Sequence, residues 1–550
     1  MISDKEKQRM MRLFFKLVSM RSDTCTPMEK DIEKYIYDWL AGLSYFKKNE
    51  QFVGCEPIPN DPLKRVAVWA LVRGSGSKTM VLLNHHDTVL PTNYGALAKY
   101  AHDPIALADQ MQGLELSDDI RRDLESGDWI FGRGTADMKA GAVLQMALIQ
   151  EFSEKMDFHG NLLFLSVPGE EYMSAGMLSS VGLMERLQEQ YGLDYRLLID
   201  CEPHQRDEDD IGVLYEGSAG KLLAMVYVRG KKAHVGNVFA GYNPLLLLSE
   251  IILQTELNTD FCDVVEQEVA PPPTWMFMED RQMQYEGTVP EAAAGCLSLI
   301  SLNSKLSQIN ARLMAAIHAA CGNVAQKIEQ QLKRFNSMGI TFEQTSAWNV
   351  KISHFEDIFA CAKDQCGQEF LDDYHRTQQE ISRSIDANQE SIQNGSHQLI
   401  EKVLSYIPDR SPIVVLAYLP PFYPSAANST YPALSKAAAS IGKSVDAFSR
   451  KKWGKGYKAL NYFMQISDMS FASFHDMEEA VATIGRNMPL WDKFYGHVFC
   501  SGRFLSMPVV NIGPWGKDLH KIGERVYRPD LEERTYAILK HVIQQVFVEK

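Results

Sequence analysis

The sequence predicts an α/β protein: a mainly parallel sheet with helices on both faces, interrupted by an inserted α+β module. Three observations lead there. Met80-Val81-Leu82-Leu83 is a continuous apolar run of the kind buried on both faces of a sheet, and Asn161 to Val167 and Tyr195 to Cys201 read as further buried strands. Stretches of helical period, Asp137 to Phe152 and Met173 to Gln190, alternate with them, as parallel crossovers require. At 550 residues the chain exceeds what one hydrophobic core supports, so two domains or more are expected.

The elements follow in order. The pattern is helical from Glu6 to Leu40, then extended at Arg65 to Arg73 and Thr79 to Asn84. The intervening Gly74-Ser75-Gly76-Ser77-Lys78 has the glycines of a phosphate-binding loop but not its Gly-Lys-[Ser/Thr] ending, and it runs into a strand, not a helix. A polar loop, Pro91 to Gly127, leads to the next strand–helix units. From about Ile211 the texture changes. Lys221 to Arg229 alternates as a half-exposed strand does, Asn243 to Leu257 is helical, and Pro271-Pro272-Pro273 breaks the chain. Strand-like segments follow around Trp275 and Leu297, then a helix from Leu306 to Phe335 and a strand near Asn349 to Ile352. This strand–helix–strand–strand–helix–strand order is ferredoxin-like. It places an inserted module at 213–353 between two parts of one catalytic domain, 1–212 and 354–550. Glu356 to Ser405 reads as helical, and Pro412 to Tyr418 resumes a buried strand, as though the first domain had been re-entered.

Composition, 45% hydrophobic and 23% charged, is that of an ordinary globular protein. The formal charge of -14 argues against nucleic acid or an anionic membrane as a partner. One basic, aromatic-interleaved run, Arg450 to Lys458, reads as solvated surface or as a contact for an anionic substrate group. Nine cysteines without paired short spacings make no disulfide framework, and Cys361 with Cys366 lacks a second pair to complete a zinc ribbon. The N-terminus is charged at once, and no apolar run approaches the ~18 residues that span a bilayer. A soluble, cytoplasmic protein is expected.

Five clusters of acidic and histidine residues fall just after predicted strands. In His85-His86-Asp87, residues two apart share a face, so Asp87 can support a metal-binding His85 while His86 points away. In the Gly132 to Gly141 loop, Asp137 stands at a helix start, where alone it is an ordinary N-cap. Pro168-Gly169-Glu170-Glu171 sets two carboxylates side by side, which repel unless a cation joins them; one could bind metal and the other stay free as a base. Asp200-Cys201-Glu202-Pro203-His204 offers two carboxylates on one strand face, so either could be a ligand. Asn511-Ile512-Gly513-Pro514-Trp515-Gly516 leads to His520, with Glu524 beyond.

Singly each has an ordinary reading. Together, in this order, they resemble peptidase family M20. The motif match covers roughly Met80 to Pro244 and Val509 to Glu533; Tyr215-Glu216-Gly217 and Ala417-Tyr418-Leu419-Pro420-Pro421 are most like the family's arginine-utilization branch. The resemblance implies a catalytic domain of the zinc-exopeptidase type carrying a lid, and a homodimer through that lid. It implies that Asp137 bridges two divalent ions, that His85 and Glu202 complete one site, and that Glu171 and His520 complete the other. Asp87 would support His85, and Glu170 would be the general acid/base. The lid motif appears as Gly230-Lys231-Lys232-Ala233-His234 with Asn243-Pro244, and His234 would polarise the scissile carbonyl. A cis peptide is expected at Asp137-Met138. Of the two carboxylates in the fourth cluster, the resemblance favours Glu202, which precedes proline as in much of the family.

The donor set suits Zn and accepts Mn or Co. The expected activity is hydrolysis of an amide bond in a peptide or N-acyl amino acid, in arginine-related catabolism. A non-catalytic metal-bound sensor or scaffold is the rival, which retention of Glu170 opposes. A serine hydrolase is excluded because no Gly-X-Ser-X-Gly elbow occurs.

Overall fold

The apolar runs become neighbouring strands. In a computed structural model describing residues 3–155, 158–206, 211–281, 286–339, 348–431, 434–473, 478–496 and 505–548, the large sheet has eight strands among those residues. Its order is Val53–Pro57, Val66–Arg73, His159–Val167, Ser75–His85, Asp194–Asp200, Val509–Asn511, Gly212–Tyr215 and Tyr457–Leu460. The central four, from His159–Val167 to Val509–Asn511, are parallel, and antiparallel strands flank them. Parallel register aligns His85 with Val167, Leu83 with Asp200, and Asn511 with Asp200. Four carboxyl ends therefore finish on one edge, where α/β sheets bind ligands.

Alternation explains the burial. Met80, Leu82, Leu162, Phe164, Leu197 and Ile199 share a core with the helices Asp4–Ser19, Ala140–Glu154 and Thr535–Val548. Val81, Leu83, Leu163, Leu165 and Leu198 on the opposite face are also buried. The helix Ala175–Tyr191 packs against the strands Val66–Arg73 and His159–Val167. Burying each such side chain contributes about 1.5–3 kcal/mol, which sets the sheet's place in the interior. Local signals start the helices: Ser3 and Glu6 form a reciprocal capping box, with Ser3 N donating to Glu6 Oε2 at 2.8 Å and Glu6 N to Ser3 Oγ at 3.3 Å.

The chain divides into two compact units, one of Met1–Ala219, Ala426–His475 and Ser501–Lys550, the other of Gly220–Ser425 and Asp476–Cys500. The second contains a five-stranded sheet ordered Thr274–Asp280, Ala292–Ser301, Gly220–Arg229, Ile413–Tyr423 and Lys351–His354. Without Ile413–Tyr423 the order is ferredoxin-like, with the helices Pro244–Thr255 and Leu306–Asn336 in the expected places.

The added strand is the departure from expectation. The sequence places the return to the first domain at 354, and Pro412 to Tyr418 inside it. Instead, Ile413–Tyr423 pairs antiparallel with Gly220–Arg229 and parallel with Lys351–His354 in the second unit's sheet. A run buried on both faces announces a central strand but does not say of which sheet. The helical stretch before it is two helices, Phe355–Asp386 and Ile392–Ser405. The basic run is divided between the end of the helix Ile441–Trp453, where cations complement the dipole, and the edge strand Tyr457–Leu460. No helix among the described residues is long and apolar enough to cross a membrane.

Candidate metal centre

Each strand end delivers a side chain. His85 is the last residue of its strand. Its Nε2 lies 3.1 Å from Asp137 Oδ1 and 3.2 Å from Glu202 Oε1. His520 Nε2 lies 3.1 Å from Asp137 Oδ2 and 3.1 Å from Glu171 Oε2. Asp137 thus presents one oxygen to each group, His85–Asp137–Glu202 and Asp137–Glu171–His520, whose donor atoms fall within 4.8 Å of one another. Asp137 is no N-cap: the following helix begins at Ala140 behind Lys139, and Asp137 sits at φ -112, ψ 100 in the tight Thr135–Lys139 turn. Asp137-Met138 is cis.

The donor chemistry fits a pair of cations. Each imidazole Nε2 faces two carboxylate oxygens. One N–H can satisfy only one of them, and a bare lone pair repels both. Donor atoms about 2 Å from a tetrahedral zinc stand about 3.3 Å apart, close to the separations found here.

Asp87 holds the cluster from behind. His85 Nδ1 lies 3.1 Å from the Asp87 carbonyl and 3.5 Å from its Oδ1, which leaves Nε2 to face Asp137 and Glu202. The same carboxylate accepts the Glu170 N–H at 3.2 Å and the Glu171 N–H at 3.3 Å. This second task, fixing the acidic loop, could not be read from the His-X-Asp spacing. His86 turns away to Ser166 Oγ at 3.0 Å, as alternation predicts. His204 is taken up by the Gly513 carbonyl at 2.8 Å. Asp200 accepts the Cys201 N–H at 2.8 Å, and Glu202 is the carboxylate that reaches His85. His234 belongs to the second unit, where it is exposed and its Nδ1 accepts the Gly236 N–H at 3.1 Å.

Burial pushes the Glu170 carboxyl well above its ordinary range, and neighbouring Asp468, Glu171 and Glu202 add to this against the opposing effect of His85. Burial, then Asp137, raises Glu202 and Glu171 likewise. Burial opposes charging Asp137 and His85, yet their mutual contacts and those with His520 and Glu202 win, lowering Asp137 and raising His85. Contacts with Asp137 and Glu171 raise His520 to about 11. A cation among these groups reverses the logic, because every carboxylate then gains from ionising.

Three groups around the cluster escaped the sequence reading. Asp468, 2% exposed, lies in the Asp468–Ala472 turn, and burial raises it to about 7. Arg133 and Asn93 tie to Glu524 and to the His520 backbone. Of this network the sequence singles out only Glu524, as a carboxylate beyond His520 in a Gly-rich polar loop. Arg133 stood in the loop of Asp137 without a visible partner.

The site defines a class: a metal-dependent hydrolase built at the carboxyl edge of a parallel sheet. The model of Peptidase family M20/M25/M40 matches residues 112–497, and the chain belongs to that family as a metallopeptidase or amidohydrolase. The matched stretch contains Asp137, Glu170, Glu171 and Glu202; His85 and His520 lie outside it. Among curated relatives, protein RocB of Bacillus subtilis is 28% identical, covering 98% of this chain and 94% of that protein. YqjN of the same organism is 29% identical over 95% of this chain and 93% of its own. Succinyl-diaminopimelate desuccinylase of Legionella pneumophila is 24% identical over 42% of this chain and 52% of its own. Of solved structures, the aminopeptidase PepT of Bacillus cereus shares the fold with TM-score 0.52 at 13% identity, covering 98% of both chains.

Proposed function

We propose that the chain is a dinuclear-metal amidohydrolase that cleaves a peptide or N-acyl amino acid, in arginine-related amino-acid catabolism. The observation that carries it is Asp137, whose two oxygens face His85 and His520 separately, 3.1 Å from each. When bound, two divalent ions, Zn in the first place or Mn or Co, polarise the scissile carbonyl and make water a nucleophile at neutral pH. His85 and Glu202 would hold one ion, Glu171 and His520 the other, with Asp137 offering an oxygen to each.

The chain's own groups do the rest. Glu170 is absent from both donor groups although it neighbours Glu171. It takes the proton of the attacking water and returns it to the leaving nitrogen. Asp87 keeps the proton on His85 Nδ1 and anchors the amides of Glu170 and Glu171. On the family likeness of the Gly230 to His234 motif, His234 donates to the carbonyl oxygen and the lid carries a homodimer contact. Desuccinylase relatives support the N-acyl class. The likeness to the arginine-utilization branch and to RocB supports arginine-related catabolism.

The test is a panel of N-acyl amino acids and dipeptides incubated with apo protein plus Zn or Mn, with metal stoichiometry measured alongside. Metal-dependent hydrolysis of one class and two ions per chain are expected. Tight binding of a single ion, or turnover that a chelator leaves untouched, would overturn the reading.

A further inference from the structure

We infer that Asn93, Arg133 and Glu524 form a positioning relay that ties the backbone carrying Asp137 to the backbone carrying His520, and thereby sets the affinity of the ion held by His520. The inference rests on the dinuclear reading above and assigns these residues no part in bond breaking.

The relay is continuous. Glu524 is fully buried and Arg133 is 1% exposed. Glu524 Oε2 pairs with Arg133 Nη1, while its Oε1 accepts the backbone N–H groups of Ala136 and Asp137, each at 3.4 Å. The Glu524 carbonyl accepts the Gly132 N–H at 3.0 Å, so both ends of the Asp137 loop hang on one residue. The other guanidinium nitrogen, Arg133 Nη2, donates to Asn93 Oδ1 at 3.2 Å, and the guanidinium lies over the Tyr94 ring, 5.3 Å from its centre. Asn93 Nδ2 in turn donates to the His520 carbonyl.

Two features show what the relay is for. A fully buried Arg–Glu pair adds little stability over an apolar pair of the same size, but it fixes geometry. Its fixed ends here are the amide of the bridging carboxylate and, through Asn93, the carbonyl of a ligand histidine. His520 has φ +63, a left-handed conformation uncommon for a residue with a Cβ, so its backbone gains from an outside hold. His520 is also the half-exposed member of the cluster, its side chain 50% exposed against 1% for His85. Packing fixes His85. The relay fixes His520.

Calorimetric titration of apo protein with Zn tests this on Asn93→Ala, a substitution at an exposed position that opens no cavity. The expected result is two ions, one bound as in the wild type and the other about tenfold more weakly, with the melting temperature of the apo protein unchanged. Arg133→Lys keeps the charge facing Glu524 but loses the fork, and is expected to weaken the same ion. Combining Asn93→Ala with His520→Ala is expected to cost no more than His520→Ala alone, which a general structural role would not produce. The relay is overturned if Asn93→Ala binds both ions with wild-type affinity, weakens both equally, or adds its full loss to that of His520→Ala. Wild-type protein that binds fewer than two ions overturns the dinuclear reading and this inference with it.

Discussion

Glu170 and Glu171 are neighbours in the chain with different surroundings. Glu171 reaches His520, while Glu170 is absent from both donor groups. Glu170→Gln is therefore expected to keep both ions, by elemental analysis, and to lose about 10²–10⁴-fold in kcat. Equal turnover would remove its acid/base role. A second carboxylate bears on stability. Glu151 takes hydrogen bonds from Lys155, Lys540 and Tyr536, which outweigh its burial and lower its pKa from 4.5 to about 2. A carboxylate with a depressed folded pKa gives stability that is complete above the unfolded value. That stability fades as the pH falls through the folded value. Acid melting curves should thus lose stability between pH 4.5 and about pH 2, and Glu151→Gln should flatten that slope while lowering the melting temperature at neutral pH.

At the scale of elements, the cluster depends on how closely the helix Ala140–Glu154 approaches the end of the strand Asp194–Asp200. A Cβ on Gly141 would stand 2.2 Å from the Cys201 carbonyl, and one on Gly513 2.0 Å from the Glu202 carbonyl. Both contacts are with backbone, which cannot swing aside as a flexible side chain can. Gly141→Ala is expected to push the strand end away, destabilise the protein by about 1–3 kcal/mol and lower metal affinity together with activity. Calorimetry and zinc titration of the variant check this; wild-type affinity would show that Glu202 does not depend on that approach. The second unit uses a different device. The Asp263 carboxylate accepts the amides of Leu302, Asn303 and Ser304, at 2.9, 3.3 and 2.9 Å, just before the long helix Leu306–Asn336.

Across the whole molecule, all five proposed ligands and Glu170 belong to one of the two units. Ligands that bind only the folded state stabilise the unit that holds them. Chelation should therefore lower one melting transition, that of the unit built on the large sheet, and restored Zn should raise it again. A second transition, where resolved, should stay put. Equal movement of both, or of neither, would contradict an ion pair confined to that unit. Multi-unit unfolding need not be two-state, so the comparison is between transitions and not between fitted free energies.

Local patterns carry a long way. The run Met80 to Leu83 had to be an inner strand, because four consecutive apolar residues can be satisfied only with both faces covered. The opposed directions of His85 and His86 follow from alternation alone, and His85, Glu171 and Glu202 are visible as polar residues at or shortly after the end of an apolar run. Spacing along the chain could not say that 435 residues after His85 the His520 imidazole comes back beside Asp137. Nor could it assign Ile413–Tyr423 to its sheet, or join Asn93 to Arg133 and Glu524. Those outcomes are contacts between residues far apart in sequence, and they are decided by which surfaces pack and which buried charges find partners. A strand's burial is written in its own residues, but its neighbour is not.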